Sequence, residues 1–89
     1  MLQYTPLAHH DYELAVTVAE TDGVASSLTI YFRTRVSLVD PLASASSISE
    51  EILSAAGLSE DYALSDFHLA SQTTRGSYYY YAVTCAVTA

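Results

Sequence analysis

The sequence predicts an α+β fold, β-β-α-β-β, in which a four-stranded antiparallel sheet of two hairpins carries one helix packed on one face. Three observations lead there. Residues 11–20 (DYELAVTVAE) and 26–40 (SSLTIYFRTRVSLVD) alternate apolar and polar side chains with period two. A second alternating pair, LSDFHLASQ and SYYYYAVTCAVTA, closes the chain, and SSISEEILSAAGL between the pairs has helical spacing.

Residues 1–10 read as an N-terminal arm or edge-strand extension of a single domain, 1–89. Pro6 lacks an N–H, so it marks that strand as an edge, opposite Leu38 if the strand runs back that far. In the first hairpin Tyr12, Leu14, Val16 and Val18 share one face, as do Leu28, Ile30, Phe32, Val36 and Leu38. A two-residue Asp22-Gly23 turn would set Val16 against Thr29 and spoil that face. A three-residue Thr21-Asp22-Gly23 loop pairs Val16 with Leu28, Leu14 with Ile30 and Tyr12 with Phe32, with Gly23 in a left-handed conformation. It also sets Asp11 opposite Arg33 as a cross-strand ion pair.

The helix is expected to start at Ser47, with Glu50 completing a capping box, to bury Ile48, Ile52 and Ala55 or Ala56, and to stop at Gly57. Asp40-Pro41 marks the exit from the preceding strand, and a further helical turn is expected at SEDYAL. In the second hairpin a Thr74-Arg75-Gly76 loop pairs Ser71 with Tyr79, Leu69 with Tyr81 and Phe67 with Val83. The inner set is then Phe67, Leu69, Tyr81, Val83, Cys85 and Val87.

Composition narrows function. Of the 89 residues, 51% are hydrophobic, enough for one core. No apolar run approaches a membrane span, and the start MLQYTPLAHH lacks the basic opening of a signal peptide; a cytoplasmic protein is expected. Ten acids face three bases, Arg33, Arg35 and Arg75, with no lysine, for a net charge of −7. Phosphate-backbone and anionic-membrane binding need several cations, so nucleic acid and membrane are disfavoured as direct partners. A basic protein partner is compatible.

Chemistry-bearing residues are sparse. His9-His10-Asp11 holds metal-ligand types, but adjacent strand residues point to opposite sides. His68, expected beside Ala82 on the face away from the helix, has no acid or nucleophile partner in view. Cys85 reads as a buried, inert thiol. Glu50-Glu51 and Glu60-Asp61 sit where helix dipoles favour solvated acids. No catalytic, metal or cofactor-binding residue is assigned, and an enzyme is not expected.

The tyrosine run is more informative. Alternation sends Tyr79 and Tyr81 inward and Tyr78 and Tyr80 outward, to join Tyr31, Arg33 and Arg35 on the open face. Around them lie Ala15, Thr17, Ala19, Ser27, Thr29, Ala70, Ala82, Thr84 and Ala86, small residues where a solvated face ordinarily carries long charged ones. Such a surface suits a protein contact with Tyr and Arg anchors. The expected function is a small acidic protein-binding module, of the inhibitor or immunity type, that covers a basic site on a larger partner. A phage or mobile-element antagonist of a nucleic-acid-binding complex would be an example. Its interface would comprise Tyr31, Arg33, Arg35, Tyr78 and Tyr80 with Glu50, Glu51, Glu60 and Asp61. The alternatives are a structural homo-oligomer, as a homodimer for instance, stacked through its open sheet face, or a small-ligand or enzymatic subunit with a site near His68 and Tyr80.

Overall fold

The computed structural model describes residues 2–7 and 10–89. The fold is α+β, with five antiparallel strands and two short helices. In chain order these are β1 (Thr5–Pro6), β2 (Tyr12–Thr21), β3 (Val24–Thr34), α1 (Pro41–Ser46), α2 (Ser49–Ala56), β4 (Ala63–Arg75) and β5 (Tyr78–Thr88). The sheet order is β1-β2-β3-β5-β4, so the last strand inserts between β3 and β4. The fifth strand, absent from the sequence reading, is the arm. Pro6 pairs with Glu13 rather than Leu38, at an edge as expected for a residue without an N–H.

The first hairpin reaches its apolar register by a different device from the expected loop. Its turn has two residues, Asp22 (φ 53°) and Gly23 (φ 79°), both left-handed as a type I′ turn requires. Continued without interruption, that turn would set Val16 against Thr29. A bulge beyond Glu20 and Ala25 adds Ser26 to β3, so Val16 faces Ile30, Leu14 faces Phe32 and Tyr12 faces Thr34. The Ser26 hydroxyl donates to the Ala19 carbonyl (3.2 Å) and accepts from Thr21 Oγ1 (3.1 Å), which satisfies the polar groups around the extra residue. The expected pairs are each off by two residues. A shift of two preserves side-chain parity, so the inner face is the one expected.

In the second hairpin Gly76 (φ 56°) and Ser77 form a two-residue turn, with glycine at the first central position as in type II′. Arg75 therefore belongs to β4, opposite Tyr78, and not to the loop. Two bulges follow, one between Leu69 and Ser71 and one between Ser65 and His68 where Asp66 takes φ 54°. Leu69 faces Val83, Ser71 faces Ala82 and His68 faces Thr84, replacing the expected Tyr81, Tyr79 and Ala82. Phe67 lies within the second bulge and still packs against the core.

The single expected helix is two. Asp40 caps α1, its Oδ1 accepting from the Ala43 N–H at 3.2 Å, and Pro41 supplies a preset φ at the first helical position. Ser47, expected to open a helix, already closes one: its hydroxyl donates to the Ser44 carbonyl at 2.8 Å. Ser46 and Ser49 bond back in the same i−3 pattern, which bends the chain between the helices. The cap position of α2 is Ile48, without a side-chain bond, and Gly57 (φ 74°) ends it as expected. SEDYAL makes a turn, with Ser59 Oγ accepting from Asp61 N–H, before β4 begins at Ala63; it is not helical.

Helix α1 packs on β4 and β5, and α2 on β2. Beneath them lie Leu14, Leu28, Ile30, Phe32, Ile48, Ile52, Tyr81, Val83, Cys85 and Val87, all buried. Burial raises the Cys85 thiol pKa above its ordinary value. Strand β3 stops at Thr34, so Val36, expected inside, is 54% exposed. Thr34 is itself buried. Its hydroxyl accepts from the Val36 N–H (3.1 Å) and lies 3.0 Å and 3.2 Å from the Val36 and Asp11 carbonyls. Among the described residues no helix is long and apolar enough to cross a membrane.

Candidate functional site

The helix-free face of the sheet carries the candidate site, at the end where β3 finishes and β5 begins. Alternation on adjacent strands brings Glu13, Arg33, Tyr80 and Thr73 into one row across β2, β3, β5 and β4, with Tyr78 and Arg75 one step further along. Arg33 is the centre of this group. Its Nη2 and Nε donate to the two Glu13 carboxylate oxygens at 2.7 and 3.2 Å, a bidentate pair that is the only ion pair among the described residues. The two-residue register shift put Glu13 where Asp11 was expected. Arg33 holds the Glu13 carboxyl below its ordinary pKa through these hydrogen bonds, and the carboxylate holds the guanidinium above its own.

The guanidinium planes are covered by rings. Arg33 Cζ lies 4.5 Å from the centroid of the Tyr4 ring and 5.3 Å from that of Tyr78. Arg35 lies 5.2 Å from the Tyr78 ring and donates to its hydroxyl at 3.1 Å. Arg75 stands 5.9 Å from the Tyr80 ring. Tyr80 meets Tyr4 edge-on at 6.3 Å and Tyr78 at 6.3 Å. Contacts of this kind contribute about 0.5–1 kcal/mol each at exposed sites, so the group organises itself without any one member dominating.

The structure thus gathers Arg33, Arg35, Tyr78 and Tyr80 as expected, and leaves Tyr31 between Ala15 and Ala82 on the same face. It adds Tyr4, Glu13 and Arg75. Gly76-Ser77 is a two-residue turn signal that would have put Arg75 on the strand; nothing local announces that Tyr4 folds over Arg33. Tyr79 and Tyr81 point inward: Tyr81 is 1% exposed and its hydroxyl accepts from the Leu38 N–H at 3.0 Å.

The acids lie elsewhere. Glu50 and Glu51 stand in the first turn of α2, Glu60 and Asp61 in the turn beyond its C-terminus, all exposed on the helix side. A helix of this length separates the two pairs by roughly 12 Å, so they form two sites of charge and not one cluster. His68 is exposed on the outer face of β4 opposite Thr84, four residues along β5 from Tyr80. His10 stacks on Tyr12 at 4.9 Å, and His9 lies outside the described residues. Among the described residues no three His, Cys, Asp or Glu side chains are grouped to hold a metal ion.

The architecture defines the class, an antiparallel α+β sandwich of one sheet and one helical layer with a tyrosine–arginine corner on its open face. Comparison with protein-family models, with curated proteins and with solved structures finds no match.

Proposed function

We propose that this chain is a small acidic protein-binding module of the inhibitor or immunity type, which covers a basic site on a larger partner with its helix-bearing side. The observation that carries this reading is charge segregation. All three bases stand in the tyrosine corner of the outer face, while Asp40, Glu50, Glu51, Glu60 and Asp61 are exposed on the other side in a stretch, 36–74, that contains no base. Opposed charge of this extent speeds encounter and selects against acidic partners. A nucleic-acid-binding complex in the cytoplasm is the partner class that fits best, the carboxylates standing where phosphates would.

The test is capture from a cell lysate at low and high salt with the parent chain and two reversal variants, Glu50→Lys/Glu51→Lys and Glu60→Lys/Asp61→Lys. Basic proteins retained at low salt, released at high salt and lost with at least one reversal support the reading. Capture indifferent to both reversals rejects it.

A second reading is a homo-oligomer, possible as a homodimer, stacked through the outer face. It is favoured by the small uncharged rows of that face, Ala15 and Ala82 beside Tyr31, and Thr17, Thr29 and Thr84. Sedimentation equilibrium separates it from the first, since a purely monomeric chain at high concentration excludes it.

A further inference from the structure

Beyond partner binding, the tyrosine–arginine corner holds a concavity of about 390 Å³ lined by Leu2, Tyr4, Arg33, Thr73, Arg75 and Tyr80. Three other concavities each include acids: Asp11 and Glu13 in one, Glu20 in another, Glu50 and Glu51 in the third. Among the described residues no carboxylate lines this one. Its polar groups are two guanidiniums, two phenol hydroxyls and a threonine hydroxyl, all able to donate.

The two arginines differ. Arg33 is neutralised by Glu13, whereas Arg75 has no carboxylate partner among the described residues and stands over the Tyr80 ring at 5.9 Å. Arg35 likewise has no carboxylate partner among the described residues but lies outside the recess, so Arg75 is the unneutralised cation at its edge. The net charge of −7 does not close the site to anions, because at physiological ionic strength charges are screened beyond about 8 Å. Burial holds the Tyr4 hydroxyl above its ordinary pKa, so it stays a neutral donor. The volume lies within the usual ~300–1,000 Å³ of small-molecule sites and far exceeds one bare oxyanion. Leu2 and the edge-on Tyr4 and Tyr80 rings, 6.3 Å apart, offer apolar wall to the remainder.

We propose that this concavity binds a small organic oxyanion, with a carboxylate or phosphate group against Arg75 and an aromatic or apolar body against Leu2, Tyr4 and Tyr80. The planar guanidinium is suited to either group through paired N–H donors. The site does not depend on the basic-partner reading, which uses the opposite side of the molecule.

The experiment is a titration of the ¹⁵N-labelled chain with phenyl phosphate, benzoate, inorganic phosphate and, as the cationic control, benzylamine, followed by amide chemical shifts. Phenyl phosphate or benzoate is expected to give saturable shifts at Thr73, Arg75 and Tyr80, with weaker effects of inorganic phosphate and none of benzylamine. Whichever of the two binds more tightly identifies the head group. Arg75→Gln should weaken binding about tenfold or more, while Ala55→Glu, which makes the net charge more negative by the same amount on the helix side, should leave it within about twofold. Both variants change exposed side chains and their folding is checked by circular dichroism. The proposal is overturned by the absence of saturable shifts up to about 10 mM of either organic anion. Equal losses in the two variants overturn it as well, since charge alone would then explain binding. Inorganic phosphate binding as tightly as phenyl phosphate removes the organic body.

Discussion

Replacing Tyr81 with phenylalanine removes one oxygen from the molecule and tests how β5 is tied to the helical layer. The ring is 1% exposed, and its hydroxyl accepts from the Leu38 N–H at 3.0 Å and lies 3.3 Å from Ser37 Oγ. Leu38 sits in the segment that leads from β3 to α1, so this bond positions the start of the crossover. Tyr81→Phe keeps the ring packing and leaves a half-buried backbone N–H without its acceptor, a loss of about 1–2 kcal/mol. A domain of this size has a total stability of only ~4–13 kcal/mol, and each kcal/mol moves Tm by about 4–8 °C. The expected fall in Tm is therefore about 4–16 °C. Tyr81→Ala adds a core cavity and costs about 3–5 kcal/mol, a large part of that total. Urea denaturation followed by circular dichroism gives the free energies, and hydrogen exchange gives the protection of the Leu38 amide. A Tyr81→Phe variant as stable as the parent, with Leu38 protection unchanged, would refute the reasoning.

The other predictions are smaller. An added Cβ meets nothing within 4 Å at Gly76, so Gly76→Val should cost only the strain of its φ of 56°, about 1–2 kcal/mol by urea midpoint. Asp40→Ala should cost about 1 kcal/mol through loss of the α1 cap, seen as faster exchange of the Ala43 amide. The Glu13 carboxyl is held below its ordinary 4.5 by Arg33, so its contribution is present above that pH and is lost as pH falls through the lowered value. The Tm gap between the parent and Glu13→Gln should accordingly be constant near neutrality and close in acid; a gap that persists at full protonation contradicts the pairing. Cys85, buried with its thiol pKa raised, should react with a disulfide reagent only as fast as the chain opens, and much faster in urea.

Much of the architecture was legible in residue order. Period-two alternation in 11–20, 26–34 and 78–88 assigned the faces of β2, β3 and β5, and with them nearly the whole core and the outward tyrosines. Glycine at 23, 57 and 76 marked three reversals, each with positive φ. Parity explains why this worked although the expected pairs were displaced: a slip of two residues exchanges neighbours on the same face, and only Ser71, on the turn side of the bulge at Ala70, slipped by three.

Partners, in contrast, belong to the tertiary structure. Three bulges, at Ser26, near Asp66 and at Ala70, fix which residue faces which. A bulge is one extra residue accommodated because two fixed apolar surfaces must meet, so its local signature is faint. Strand order is likewise decided by where the helical crossover lands: α1 on β4 and β5, α2 on β2. That order sets Arg75 beside Tyr78 and Tyr80, and the return of the arm sets Tyr4 over Arg33. The corner is built from side chains on four strands, and alternation along any one strand specifies only the face on which each lies. Their meeting depends on cross-strand register, a property of the packed sheet, because the free energy that selects it comes from burying all the inner faces together.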